Sequence, residues 1–337
     1  YPARAEAIVE TNSRFNDAPP ADIAFEVDMA SFNYQEQFFD RDHRLYPEMI
    51  FCSSESATGI GAGPWFLFDH SYAVGLFYWG AIEYIGEALE AFPNEKSWRY
   101  GILDLTGHRK GTYDPIATAF SDRPVVLLAV DEGEDPGLHI NDVLLKASRL
   151  AAQWTWETGS VKAAVAHSNA EEVELVLNGR SLGVKKAAEA FQFAFRWEVP
   201  FEAGELLAIA RNSGIEVARD LLRTAGPAAR IELRPDRTEL RADGQDLSHV
   251  AVCVVDDQGA VVPGAAHLID FSVSGAGTNA GVDNGDNSSD ELWQADARSA
   301  YRGRALLVVR ASRTPGTIRV RAESPGLATS EIELIAR

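Results

Sequence analysis

The spacing of hydrophobic positions changes partway along the chain. Before about residue 120, apolar residues come in near-continuous runs at 23–34, 49–54 and 72–82. Such runs mark strands covered on both faces, as in a parallel α/β sheet. Polar or aromatic residues close each run: Asn33 and Tyr34, then Glu55, then Trp79 and Glu83. Parallel barrels carry their chemistry at that end of the strands. Residues 2–15 are predicted to be a helix, with Pro2 suited to its first turn.

After about residue 155 the period falls to two. Val161, Ala163 and Val165 alternate with polar or small neighbours, as do Val173, Leu175 and Leu177. Phe191, Phe193, Phe195, Trp197 and Val199 form the longest series. One apolar face per strand predicts half-buried antiparallel strands, and Asn178-Gly179 predicts a tight hairpin. Between the two regimes, 121–130 reads as a strand, 131–153 as irregular, with a short helix near 143–150. Ala225-Gly226-Pro227 is a linker candidate. Beyond it, Ile231 with Leu233 and Val250, Val252 and Val254 alternate again. Asp257-Gln258-Gly259 supplies a turn toward Val261, and 271–273, 305–309 and 317–320 supply further strands. This last unit has the size of an immunoglobulin-like sandwich.

Composition narrows the partners. A formal net charge of −19 repels phosphate backbones and anionic lipid, so neither nucleic acid nor membrane is expected. A neutral sugar is compatible with such a surface. No apolar stretch approaches the roughly 20 residues needed to span a bilayer. Cys52 and Cys253 fall in different strand-like regions and cannot form a zinc site alone. The seven His are scattered without metal-ligand spacing, so no metal is expected. The acidic stretch at 282–291 (VDNGDNSSDE) does not follow EF-hand spacing and is predicted to be a solvated loop.

Glu55 is the leading candidate for chemistry. It closes an apolar strand, Met49 to Ser54, and is followed by Ser56-Ala57-Thr58-Gly59. By residue type alone it is either a reactive carboxylate or an ordinary loop carboxylate. Its surroundings add more. The segment YPEMIFCSSESATG (46–59) resembles the nucleophile strand of family 2 glycoside hydrolases of the β-galactosidase type. DMASFNYQ (28–35) is similar to the barrel strand preceding it in that family. VGLFYWGAIEYIGEA (74–88) is similar to the last barrel strand, and YGILDLTGHRK (100–110) to the segment closing the barrel domain. The four fall in the family's order. Downstream, EEVELVLNGRSLGVKK (171–186), residues 223–263 and FSVSGAGTNAGVDNGD (271–286) resemble its two post-barrel sandwiches.

The resemblance implies a multidomain, mostly-β chain. Residues 1–120 would be the C-terminal part of a (β/α)8 barrel, and 121–226 and 227–337 two immunoglobulin-like antiparallel sandwiches. It implies a retaining exo-β-glycosidase, most nearly a β-galactosidase, that needs no cofactor. Glu55 would be the nucleophile. Tyr34 would donate a hydrogen bond to it, as opposed to merely packing at a barrel rim. Trp79 would stack on the sugar, as opposed to filling core. Glu83 would accept a sugar hydroxyl, where the family often has Asp, and Asn33 would also bind substrate. The acid/base Glu of the family follows an Asn on an earlier strand; Asn94-Glu95 lies in loop-like sequence after the last strand and does not fit. The 24-residue step from Glu55 to Trp79 is shorter than the family's. Three strands cannot close a barrel, so an N-terminal part is expected as partner, in the same chain or another; homo-oligomerisation is left open. The alternative is a non-catalytic sandwich chain that binds carbohydrate or protein and carries a barrel remnant.

Overall fold

The computed structural model describes residues 6–9, 19–57, 69, 71–90, 92–133, 135–140, 143–146 and 149–337. Strands dominate. The first part is a parallel sheet in sequence order: β1 (Glu6–Val9), β2 (Met29–Asn33), β3 (Phe51–Ala57) and β4 (Ala73–Trp79). The helix expected over 2–15 is therefore corrected: Glu6–Val9 is a strand, paired with β2 from Glu6↔Met29 to Val9↔Phe32. The parallel neighbour overrides a local pattern too short to fix its own period. Four strands, not three, lie side by side.

The run at 23–34 divides into a 3-10 turn at Asp22–Phe25 and the shorter strand β2. Phe32, Phe39 of the helix α1 (Phe39–Leu45), Phe51 and Tyr72 form the small core of this sheet with Ala24, Ala30 and Ala73. β4 departs from the expected double coverage. Its Val74 and Phe77 are 57 % and 66 % exposed, while Ala73 is buried.

A helix α2 (Tyr113–Ala119) leads into the middle sandwich. Its strands are β5 (Val126–Asp131), β8 (Leu150–Ala151), β9 (Val161–Ser168), β10 (Glu172–Leu177), β11 (Arg180–Lys186), β12 (Ala194–Pro200), β13 (Glu205–Asn212) and β14 (Ile215–Arg223). They form two sheets, β11-β10-β13-β14 and β12-β9-β5-β8. The helix expected near 143–150 is also corrected: β6 (Leu138–Ile140) and β7 (Val143–Leu145) form a hairpin. Asn178 and Gly179, both at positive φ (50° and 80°), turn β10 into β11 as the sequence predicts. Inward residues of both sheets, among them Leu128, Val173, Leu175, Phe195 and Leu206, close around Trp154.

The terminal sandwich comprises β15 (Arg230–Pro235), β16 (Glu239–Leu240), β17 (Leu247–Val255), β18 (Leu268–Gly275), β19 (Gly277–Asp283), β20 (Ala297–Ser299), β21 (Arg304–Ala311), β22 (Gly316–Glu323) and β23 (Ser330–Ala336). Its sheets run β15-β17-β21-β19 and β16-β23-β22-β18-β20. Val250, Val252, Val254, Leu307, Val309, Ile318 and Val320 fill its centre with no exposed surface.

The Ala225–Pro227 connection is tied down on both sides. Ala225 N–H donates to Thr155 Oγ1 at 2.9 Å, and Gly226 N–H to Asp256 Oδ2 at 2.7 Å. Burial opposes ionisation of Asp256, but the N–H groups of Gly226, Ala260, Gln258 and Gly259 together hold its carboxyl below the usual range. The acidic stretch is not simply solvated. Buried Arg298 organises it from inside, donating to the Glu291 carbonyl (2.9 Å) and to Asn284 Oδ1 (3.0 Å). The loop so built reaches the first part of the molecule: Lys96 N–H donates to the Asn287 carbonyl (3.0 Å) and Lys96 Nζ to the Ser289 carbonyl (2.7 Å).

Candidate active site

The sequence candidates converge at the C-terminal ends of β2, β3 and β4. Asn33 pairs in register with Glu55, and Ala57 with Trp79. The register slips at Phe32/Asn33 and between Ser53 and Ser56. Irregular pairing of this kind re-aims side chains and recurs beside functional sites. Glu55 lies within β3, two residues before its end, not after it as the hydrophobic run implied.

Tyr34 follows β2 directly with φ of 54°, a left-handed conformation uncommon for a non-glycine residue. That turn lets Tyr34 N–H donate to the main-chain oxygen of Glu55 at 2.7 Å. Its phenol also hydrogen-bonds the Glu55 carboxylate. Burial, then the charge of Glu55, pushes the Tyr34 phenol well above its ordinary range. The phenol therefore stays protonated and acts as a donor. Tyr34 packs with Trp98 and Tyr100, so its ring is clamped from behind. Asn33 is buried, and its Oδ1 accepts a 2.6 Å hydrogen bond from Ser54 Oγ.

Trp79 is 38 % exposed at the tip of β4, and its peptide bond to Gly80 is cis. Tyr84 meets it edge-on, with ring centroids 6.2 Å apart and planes at 89°. The Trp79 indole hydrogen-bonds the Tyr84 phenol, which donates to the exposed carboxylate of Glu87. Burial pushes the Tyr84 phenol up, and Glu87 adds to this.

Glu83 is placed differently from its neighbours. It is 4 % exposed, and its carboxylate meets Lys110 Nζ and the side chain of Asn287. Burial pushes its carboxyl up to about 7, against the opposing pull of Lys110. Its backbone explains the YGILDLTG motif: Glu83 N–H donates to the Leu103 carbonyl at 2.9 Å. A Cβ on Gly101 would stand 2.4 Å from Glu83 N, so only glycine lets the two segments pass. Asp104 then caps the turn, accepting from Thr106 N–H (2.9 Å), Thr106 Oγ1 (2.7 Å) and His108 N–H (3.0 Å).

Glu95 does not join this group. Its partner is Arg99, at 3.3 Å, and the charges it senses are Arg99, Lys110, Asp135 and Asp286. Glu36, Tyr84, Glu87, Lys110 and Asn287 escaped sequence reasoning. Tyr84 and Glu87 lie within the family-like segment 74–88 and Lys110 within 100–110, while Glu36 and Asn287 each stand one residue beyond such a segment. Among the described residues no cluster of His, Cys, Asp and Glu could hold a metal ion, and no helix is long and apolar enough to cross a membrane. Cys52 and Cys253 lie buried in strands of different sheets.

The site is thus a parallel-sheet end with one hydrogen-bonded carboxylate beside an aromatic wall, followed by two sandwiches. Residues 231–333 match the model of glycoside hydrolase family 2 C-terminal domain 5, and 159–218 match a domain of unknown function, DUF4982. The chain is 35 % identical over 268 residues to β-galactosidase BoGH2A of Bacteroides ovatus, covering 80 % of this chain and 29 % of that protein. It is 29 % identical over 172 residues to a β-galactosidase of Thermoanaerobacter pseudethanolicus, covering 47 % of this chain and 21 % of that one. A crystal structure of a glycosyl hydrolase family 2 member from Bacteroides cellulosilyticus superposes with a TM-score of 0.84 at 32 % identity, over 98 % of this chain and 43 % of that one. The chain belongs to glycoside hydrolase family 2. It spans less than a third of the length of the curated relatives it matches.

Proposed function

We propose that this chain is the C-terminal part of a retaining exo-β-glycosidase, most nearly a β-galactosidase, with Glu55 as nucleophile. The supporting observation is the Tyr34 phenol hydrogen-bonded to the Glu55 carboxylate at a parallel-sheet end, with Trp79 on the adjoining strand. In double displacement, a Glu55 oxygen attacks the anomeric carbon as an acid protonates the leaving oxygen. Water then displaces Glu55 from the glycosyl-enzyme, helped by the same group acting as base. Tyr34 holds the carboxylate in place for attack and stabilises it as it leaves. Trp79 offers an indole face to the apolar C–H face of the sugar. Asn33 orders Ser54 beside Glu55, and Glu83 braces the wall through Lys110. The exposed carboxylate on that wall is Glu87.

The acid/base carboxyl and the remaining strands would come from a preceding part of the protein. β1 and β4 each have a neighbour on one side only among the described residues. The exposed Val74 and Phe77 would be covered by that part. The proposed units are 1–120, the end of the barrel, and 121–226 and 227–337, the two sandwiches.

A 2-deoxy-2-fluoro-galactosyl label tests this. In the complete enzyme it should trap on the peptide containing Glu55. The 337-residue chain alone should not hydrolyse an aryl β-galactoside. Labelling at another carboxylate, or turnover by the isolated chain, overturns the assignment. No label in the complete enzyme favours a carbohydrate- or protein-binding module.

A further inference from the structure

Behind Glu55 lies a second carboxyl that the double displacement does not use. Glu36 opens the 3-10 turn Glu36–Phe38 just after β2 and is 0 % exposed. Ser53 Oγ lies 2.6 Å from Glu36 Oε1 and 3.1 Å from the main-chain oxygen of Glu55. A serine hydroxyl has one hydrogen to give. If Glu36 were ionised, its Oε1 and the Glu55 carbonyl would compete for that hydrogen. Glu36 Oε2 and the buried Ser56 Oγ near it do not meet with hydrogen-bond geometry, although Ser56 and the Glu36 main chain lie close enough to favour the charged form somewhat. A fully buried carboxylate whose polar neighbours are two hydroxyls and its own main chain, with no cation among them, is disfavoured. A carboxylic acid in the same place removes the competition for the Ser53 hydrogen. Glu36 donates to Ser53 Oγ, and the Ser53 hydrogen passes to the Glu55 carbonyl. That carbonyl then holds two donors, Ser53 O–H and Tyr34 N–H.

We infer that Glu36 is a neutral carboxylic acid that positions the nucleophile by fixing, through Ser53, the backbone carbonyl of Glu55. This rests on the reading of Glu55 as nucleophile. Burial drives the Glu36 carboxyl upward, with Ser53 and Ser56 opposing. Its titratable neighbour is Tyr34, whose phenol senses the charges of Glu55, Glu87 and Glu36 together. Keeping Glu36 neutral spares Glu55 and Tyr34 a further negative charge.

The test uses the complete enzyme that carries this chain. E36Q keeps a neutral donor at the Ser53 position, so its kcat should stay within about twofold of the parent. S53A and E36A should lower kcat by about a hundredfold with KM little changed, as expected when reacting atoms are misplaced. Circular dichroism establishes that each variant is folded, and S53A carries the test if E36A is not. The infrared difference between parent and E36Q at neutral pH should contain a protonated-carboxyl C=O band. An E36Q as impaired as S53A, or parent-like kcat in S53A, overturns the inference. So does absence of the band. A band present without fluoro-sugar labelling at Glu55 would instead remove the nucleophile reading and leave the protonation state of Glu36 standing.

Discussion

The sheet end around Glu55 and the terminal sandwich are stabilised by opposite means. The terminal sandwich rests mainly on apolar burial, with Val250, Val252, Val254, Leu307, Val309 and Ile318 fully covered, although it also buries Ser248 and Arg298. The sheet end buries Ser31, Asn33, Glu36, Ser53, Ser56 and Glu83, each of which needs a hydrogen-bond partner to offset its lost hydration. The sandwich core thus rests mainly on apolar burial and the sheet end on hydrogen-bond geometry. Buried polar groups cost stability, and they persist where a reacting atom must be held in one position. The arm from β19 to β20, organised by Arg298, connects the two by reaching Lys96 and Glu83.

Substitutions can separate the two regimes. E55Q should reduce turnover of the complete enzyme by at least about a thousandfold, as when a residue that bonds covalently to substrate is removed. Its melting temperature should be that of the parent; a large shift would mean that Glu55 is structural. In the sandwich, L307A should behave in the opposite way. A denaturant titration should show a loss of about 2–5 kcal/mol, while activity per folded molecule is unchanged.

Two further changes probe the seam. G101A puts a Cβ against Glu83 N and should cost about 1–3 kcal/mol, with Trp79 fluorescence altered if the wall moves. Glu83 gives a pH signature. Burial raises its carboxyl in the folded chain from the ordinary 4.5 to about 7. Its stabilisation is therefore present below about pH 4.5 and is lost as pH rises through about 7. Stability of the parent relative to E83Q should fall across that window by up to about 3 kcal/mol; a flat difference would mean that Lys110 keeps Glu83 ionised throughout. The smallest effect belongs to K96M. Its partner Asp290 is almost fully exposed, so the ion pair adds little. Loss of the Ser289 carbonyl contact should cost about 1 kcal/mol.

Much of this was legible in the linear pattern. Period-two alternation located the sandwich strands because each has one wet and one dry face. Asn178-Gly179 located a hairpin because few residues accept positive φ at both central positions. Motifs at strand ends located Tyr34, Glu55 and Trp79. Short segments were misread where the partner decides the state. Glu6–Val9 is a strand because β2 lies beside it, and Val143–Leu145 because Leu138–Ile140 does. The family resemblance implies a sugar contact for Glu83. Lys110, 27 residues on, and Asn287 from another domain turn its carboxylate into a buried brace.

The sequence by itself determined the order of parallel and antiparallel regions, the family resemblance and the choice of Glu55 as the proposed nucleophile. These follow from local periodicity and from residue types at strand ends, both written in neighbouring positions. The tertiary structure alone decided which carboxyl is exposed, which is buried and what each one touches. Hydration and hydrogen-bond partners depend on segments far apart in the chain, and no local pattern encodes their meeting.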